Sequence, residues 1–475
     1  MSKSTASPSP KTKAVAHWLP LLVGGFLGLA LLKFGNAIIM EKYITWPRDG
    51  FEWLIRPWPT TVGHVLLIMM ALAGGCVARW RRPCPRWLAM LPLAWLAWQF
   101  VAATATVDTV LTGLTLKHFA ACALCFYLGY FALDNMPVSG GFGRLILLAM
   151  IAVIVNGAYQ RLIGQAETRT FIQNNEPTHW RNLPPEETAE MEREGLLLRT
   201  PDGWTANPSL LKKAESDRIS STLFYPNALA GALLLMLPPC LVMVATTRRL
   251  TPAARGFATG LIGLGGLVCL YWSGSKAGWL LALGLGGLGL LRSPINRTIK
   301  MAVVVGLLVL GLTGFAARYA GFFQRGATSV VARFDYWQAA LQTAVAHPLR
   351  GTGPGTFFRS YQRLKKPESE VARLAHNDYL QQASDSGWPG FALYSTSVWG
   401  ILIVAGRRIW PAGSGLQFAI WLGVVGWAGQ GFVEFGLYIP ALAWPAFVWL
   451  GWLLATRPEN ASTKPSVNPK LDSYS

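Results

Sequence analysis

Charge is what this chain has least of. Only 14% of its 475 residues are Asp, Glu, Lys or Arg, whereas 52% are hydrophobic, and the mean hydropathy is +0.34. A soluble globule carries about a quarter of its residues charged, so that class is excluded. The alternating ten-residue segments of a transmembrane barrel are missing too, and no repeat of fixed period runs along the chain. The six histidines show no HExxH or comparable spacing, which leaves a metal cofactor without support. The six cysteines (Cys76, Cys84, Cys122, Cys125, Cys240 and Cys269) fall mostly inside apolar runs, where a thiol acts as a small hydrophobe. No disulfide framework is implied. Cys122 and Cys125 form a CxxC with neither a second pair nor a histidine cluster beside it.

Apolar sequence dominates instead. Runs of about 17 to 25 residues, long enough as helices to cross a hydrocarbon core of roughly 30 Å, lie near 18–39, 61–79, 87–105, 113–133, 142–163, 223–245, 256–273, 276–291, 299–317, 388–406, 414–433 and 437–455. The fold expected is an all-α integral membrane protein with about twelve transmembrane helices. An even number places both termini on one side. The short alternate connections hold Arg79, Arg81, Arg82 and Arg86, then Arg144, then Arg248, Arg249 and Arg255, then Arg292, Arg297 and Lys300, then Arg407 and Arg408. Arg457, Lys464 and Lys470 follow in the tail. These segments are nearly free of carboxylates, and the positive-inside rule makes them cytoplasmic. Orientation thus explains the net charge of +19 without a nucleic-acid partner, since no single basic face is formed.

The organisation that follows is a disordered tail 1–17, helices over 18–163, a long outer loop 164–222, helices over 223–317, a second long outer loop 318–387, helices over 388–455 and a tail 456–475. The first loop holds ten of the 23 acidic residues, with LPPEETAEMERE reading as a short helix opened by proline. A solvated cap is its simplest role.

The second loop carries most of the candidate chemistry. His376, in LAHNDYLQQASDSG, precedes the tenth span, and imidazole suits general-base work at neutral pH. A loop histidine can equally serve a backbone carbonyl. Arg218 and Lys276 lie at helix N-termini, where the helix dipole favours an anion over a cation. The mismatch is resolved if an anion is shared among the cations, the free N–H groups and the Ser273 and Ser275 hydroxyls, although Lys276 can also snorkel to lipid headgroups. Arg333 opens an amphipathic segment with Phe334, Trp337 and Leu341 on its apolar side, suited to the membrane interface. It can clamp a diphosphate, or pair with Asp335 or a lipid phosphate. In HPLRGTGPGTF the glycines allow tight turns but fit no P-loop. Glu434, in GFVEFGLYIPALAW, is a carboxylate at a span boundary and a candidate on that ground.

RFDYWQAAL, HPLRGTGPGTF and AHNDYLQQASDSGWPG, in that order, resemble the C-terminal half of the O-antigen ligase and O-antigen polymerase superfamily. WSGSKAGWLL is similar to its serine-and-basic motif, and VEFGLYIPA to its segment between the last two spans. The resemblance runs from about Arg218 to Pro445. It implies a metal-independent, inverting glycosyltransferase of the GT-C type in the bacterial inner membrane, with two long periplasmic loops and no cofactor. The donor implied is a glycan on undecaprenyl diphosphate. The acceptor implied is lipid A-core, for a ligase, with polymerase extension of a lipid-linked glycan and glycosylation of a protein hydroxyl as the alternatives. Arg218 and Arg333 would hold the diphosphate and His376 would activate the acceptor. Lys276 stands where the family more often has arginine, and Ser273, Ser275, Asn377 and Glu434 are possible supporting residues. A lipid-linked glycan transporter is the competing class.

Overall fold

The computed structural model describes residues 10–78, 85–133, 140–324, 328–367 and 369–456. Arg79, Arg81, Arg82, Cys84, Arg457, Lys464 and Lys470, with residues 1–9 of the N-terminal tail, lie outside the described residues. In order come α1 (Pro10–Lys33), α2 (Gly50–Ile55), α3 (Thr60–Gly75), α4 (Arg86–Ala103), α5 (Thr109–Tyr127), α6 (Gly141–Tyr159), α7 (Gln165–Asn175), α8 (Pro185–Arg193), β1 (Leu197–Thr200), β2 (Gly203–Ala206) and α9 (Pro208–Glu215). Then follow α10 (Pro226–Thr246), α11 (Pro252–Ser273), α12 (Lys276–Arg292), α13 (Arg297–Gln324), α14 (Thr328–Ala346), α15 (Phe357–Leu364), α16 (Asp378–Ala412), α17 (Gly415–Gln430) and α18 (Pro440–Ala455).

Each of the twelve expected spans contains a helix, and α1 begins at Pro10, ahead of the expected Trp18. Among the described residues, six helices are long and apolar enough to cross a membrane, and three further apolar helices are shorter. Length and composition therefore support a mostly helical membrane protein without fixing the number at twelve.

The bundle is built around α18, every residue of which is buried. Helices in lipid gain nothing from leaving an equally apolar solvent, so they associate by close packing over small residues. A Cβ on Gly451 would stand 2.0 Å from the Phe126 carbonyl oxygen, and one on Gly129 would stand 2.1 Å from that of Val448. Only glycine lets α5 and α18 approach so closely.

Both long interruptions lie at one end of the bundle, here called the loop end. Helix α6 does not stop where its apolar run stops. A π-helical turn over Gln160–Gly164 carries it into α7, giving continuous helix over Gly141–Thr178. Beyond it, α8 starts with proline as expected, and β1 and β2 form an antiparallel hairpin pairing Leu197 with Ala206 and Thr200 with Gly203. Ile172, Trp180, Leu197 and Ala206 make a small core of their own.

In the second interruption, α14 packs through Tyr336, Ala339, Ala340, Thr343 and Ala344, while Phe334 and Leu341 stay exposed. Helix α16 breaks at Gly387, whose φ is 70°. The freed carbonyls do not go unpaired. The Gly-rich run takes them, with Thr352 N–H donating to Ser384 O, Gly353 N–H to Asp385 O, and Trp388 N–H returning to Pro348 O. That run is a clasp around the break in α16.

Candidate active site

Five junctions at the loop end meet around a cavity of about 470 Å³. They are the segment before α10, the α11–α12 turn, α14, the residues before α16, and the α17–α18 connection.

Arg218 is placed by main-chain pairing. Ile219 N–H donates to Trp272 O at 3.1 Å, and Gln165 Nε2 donates to Arg218 O at 3.0 Å. Gln160, on the π turn, accepts from the N–H groups of Ser220 and Ser221. Such turns push a side chain out of helical register, and here they aim Gln160 and Gln165 at the Arg218 segment. The guanidinium lies against the α11–α12 turn, with Nε donating to Ser273 O and Nη2 to Asn227 Oδ1, both at 2.7 Å.

That turn depends on Gly274, which ends α11 with φ 60°. Ser275 then caps α12 by accepting from Gly278 N–H at 3.2 Å. The Ser273 hydroxyl donates to Leu270 O at 2.7 Å and accepts from Ser275 N–H. Both serines are buried, and both hydroxyls shape the turn. Lys276, the first residue of α12, places Nζ 5.0 Å from the centre of the Tyr319 ring, over which the Arg318 guanidinium also lies. Alanine at Gly274 would force a left-handed conformation costing about 1–2 kcal/mol, and its Cβ would stand 3.1 Å from Arg218 Nε. Gly274→Ala is expected to lower the melting temperature, because the strained turn also displaces Arg218. A thermal scan checks it.

His376 has φ 50°, a left-handed conformation that a non-glycine residue holds only against strain. Four contacts keep it there. Trp337 Nε1 donates to its carbonyl at 3.3 Å, Tyr336 stacks on its ring at 5.7 Å, Phe435 meets it edge-on at 4.8 Å, and its Nδ1 lies 3.3 Å from Glu434 Oε2. A carboxylate can only accept, so Nδ1 carries the proton and Nε2 becomes the basic nitrogen. Asn377 beside it serves the helix, capping α16 by accepting from Leu380 N–H at 2.9 Å.

Glu434 is where these parts join. It is buried in the α17–α18 connection, outside either helix. Its Oε1 accepts from Arg333 Nη2 and Asn227 Nδ2, and its Oε2 accepts from the Tyr225 hydroxyl and faces His376. Burial alone would raise its pKa; the His376 hydrogen bond and charge, with Arg333 and Tyr225, outweigh burial and bring it down to about 2. Arg333 also donates from Nε to Val433 O at 3.1 Å, while Asp335 accepts from Ser369 instead. Three cations, Arg218, Lys276 and Arg333, thus line the cavity with this one buried carboxylate, and Glu370 lies at its edge. The positive surplus suits an anion. Among the described residues, no three or more His, Cys, Asp or Glu side chains gather as a metal ligand set.

All four principal candidates, Arg218, Lys276, Arg333 and His376, line this one cavity, with Glu434 and Ser275. Sequence reasoning missed Tyr225 and Asn227. Their signal is the Tyr-Pro-Asn at the start of α10, where proline is expected at a first helical position and the polar residues on either side pass for helix-start residues.

Residues 261–395 match the family model described as O-Antigen ligase. The match supports the O-antigen ligase and polymerase superfamily. It runs from within α11 to within α16, taking in Lys276, Arg333 and His376 and leaving Arg218, Asn227 and Glu434 outside it. Activity of the O-antigen ligase or polymerase type, on a lipid-linked glycan and an acceptor, is what this similarity carries. No curated protein matches the sequence.

Proposed function

We propose that the chain transfers a glycan from undecaprenyl diphosphate to an acceptor hydroxyl, with ligation of O-antigen to lipid A-core as the first reading. Polymerase extension of a lipid-linked glycan, or transfer to a protein hydroxyl, uses the same chemistry on another acceptor. The loop end would face the periplasm, with both termini cytoplasmic in a bacterial inner membrane.

One observation carries this reading: Glu434 binds the cation Arg333 with one oxygen and faces the base His376 with the other. An anion site and a proton acceptor therefore share one wall of a cavity. The acceptor hydroxyl would give its proton to His376 Nε2 while its oxygen attacks the anomeric carbon from the face opposite the diphosphate. The bond from anomeric carbon to phosphate oxygen breaks, the configuration inverts, and undecaprenyl diphosphate leaves with its electron pair. Arg218, Arg333 and Lys276 stabilise the charge gathering on that leaving group. Such preorganised stabilisation is the largest catalytic contribution in most enzymes, and the steps need no metal.

Arg218→Ala and Arg333→Ala are each expected to cost about 2–4 kcal/mol of transition-state stabilisation, by analogy with a lost oxyanion-hole donor. The measurement is transfer from purified undecaprenyl-diphosphate glycan, with lipid A-core supplied in one reaction and donor alone in another. Product on lipid A-core identifies a ligase. Lengthened glycan still on the lipid carrier identifies a polymerase. Transfer to neither by a protein that binds donor would overturn both readings.

A further inference from the structure

The two clamp arginines reach Glu434 by different routes. Arg333 hydrogen-bonds it directly, whereas among the described residues the hydrogen-bonded link from Arg218 runs through Asn227. The amide of Asn227 is used from both ends, its Oδ1 accepting from Arg218 Nη2 at 2.7 Å and its Nδ2 donating to Glu434 Oε1 at 2.5 Å. A side-chain amide is one of the few groups that can do this, because it presents an acceptor and a donor on one rigid plane. Its own backbone is fixed as well. Gln430, the last residue of α17, donates from Nε2 to Asn227 O at 2.8 Å, and Pro226 holds the first position of α10.

We propose that Asn227 is a positioning residue that holds Arg218 in register with Glu434, and so sets the spacing between the donor's leaving group and His376. This rests on the function proposed above. In that setting Arg218 contacts the diphosphate, while the Asn227 amide, which also lines the cavity, is engaged by Arg218 at one end and by Glu434 at the other. The amide fixes where the Arg218 fork points, and it does so relative to the same carboxylate that orients the base. Preorganisation of this kind lets a misplacement of about 1 Å, made away from the reacting atoms, cost on the order of a hundredfold in rate.

The discriminating variant is Asn227→Asp. It keeps the shape of the side chain and the acceptor for Arg218, and replaces the donor to Glu434 with a second carboxylate. If Asn227 merely fills space, Asn227→Leu, of similar volume and without a polar atom, should behave like wild type and better than Ala. If it bridges, Asp should be at least as damaging as Asn227→Ala, each losing about 10- to 100-fold in kcat/KM, the worth of one hydrogen bond to a charged group.

All variants are purified in detergent as the full chain, and binding of undecaprenyl diphosphate is measured beside transfer, with Arg218→Ala and Arg333→Ala in the same series. Wild-type binding and kcat/KM in Asn227→Asp, with weakened binding in the arginine variants, would overturn this inference alone. Unaltered binding in the arginine variants would overturn the proposed function beneath it.

Discussion

Replacing His376 with alanine is expected to lower glycan transfer by about 10²- to 10⁴-fold, the usual contribution of a positioned general base, while donor binding changes little. The separation follows from geometry. The proposed diphosphate site comprises Arg218, Lys276 and Arg333, and the His376 imidazole meets it through Glu434, which hydrogen-bonds Arg333. His376→Gln is the sharper version of the test. Glutamine can still donate toward Glu434 and fill the space against Tyr336 and Phe435, but it has no basic nitrogen. If glutamine restores transfer, the residue orients the acceptor by hydrogen bonding and takes no proton. If glutamine matches alanine in rate while undecaprenyl diphosphate binds both variants normally, proton acceptance is its role.

The second large effect is expected at Glu434. Removing one partner of a buried ion pair leaves the other uncompensated and costs about 3–5 kcal/mol. Glu434→Ala removes the acceptor that Arg333, Asn227, Tyr225 and His376 share, so loss of thermal stability should accompany loss of transfer. Glu434→Gln keeps two of those hydrogen bonds and removes the charge, and should lose transfer with a smaller fall in melting temperature. The pH dependence has a definite sign. The folded pKa of Glu434 is depressed to about 2 from an ordinary 4.5. Its ionised form therefore stabilises the fold fully above the ordinary value, and that contribution is lost as pH falls toward 2. Thermal scans should show a wild-type advantage over Glu434→Gln at about pH 5 that shrinks as pH falls toward 2. An advantage that persists undiminished from about pH 4 to about pH 2 would contradict the arrangement.

Helix placement was legible because apolar runs of spanning length are the least ambiguous signal a sequence holds, and all twelve stretches hold a helix. Arg218, Lys276, Arg333 and His376 were legible for the complementary reason, as polar groups at the edges of apolar runs. What joins them was not. Glu434 stood out as a boundary carboxylate, but its partners come from α10, α14 and the segment before α16, and no local spacing records which of these it meets. Asn227 was hidden by its ordinary place at a helix start. The Gly-rich run announced tight turns without saying that they would close on the carbonyls freed at Gly387. The hairpin β1–β2 was missed because four-residue strands are too short for a periodic signal.

The π turn over Gln160–Gly164 has a consequence for how length changes will be tolerated. Such a turn amounts to one residue more than an α-helix needs, carried without a break. Deleting one residue there would remove the surplus and leave a regular helix, with α7 near its present phase around the axis. A one-residue deletion beyond the turn has no such allowance, and would swing the rest of α7 by about 100°. Made ahead of Gln165, it would take that side chain from the Arg218 carbonyl and loosen the segment that holds Arg218 at the cavity. Between α6 and α7 the chain counts residues as a screw counts turns, and the π turn is the one place where a miscount is absorbed.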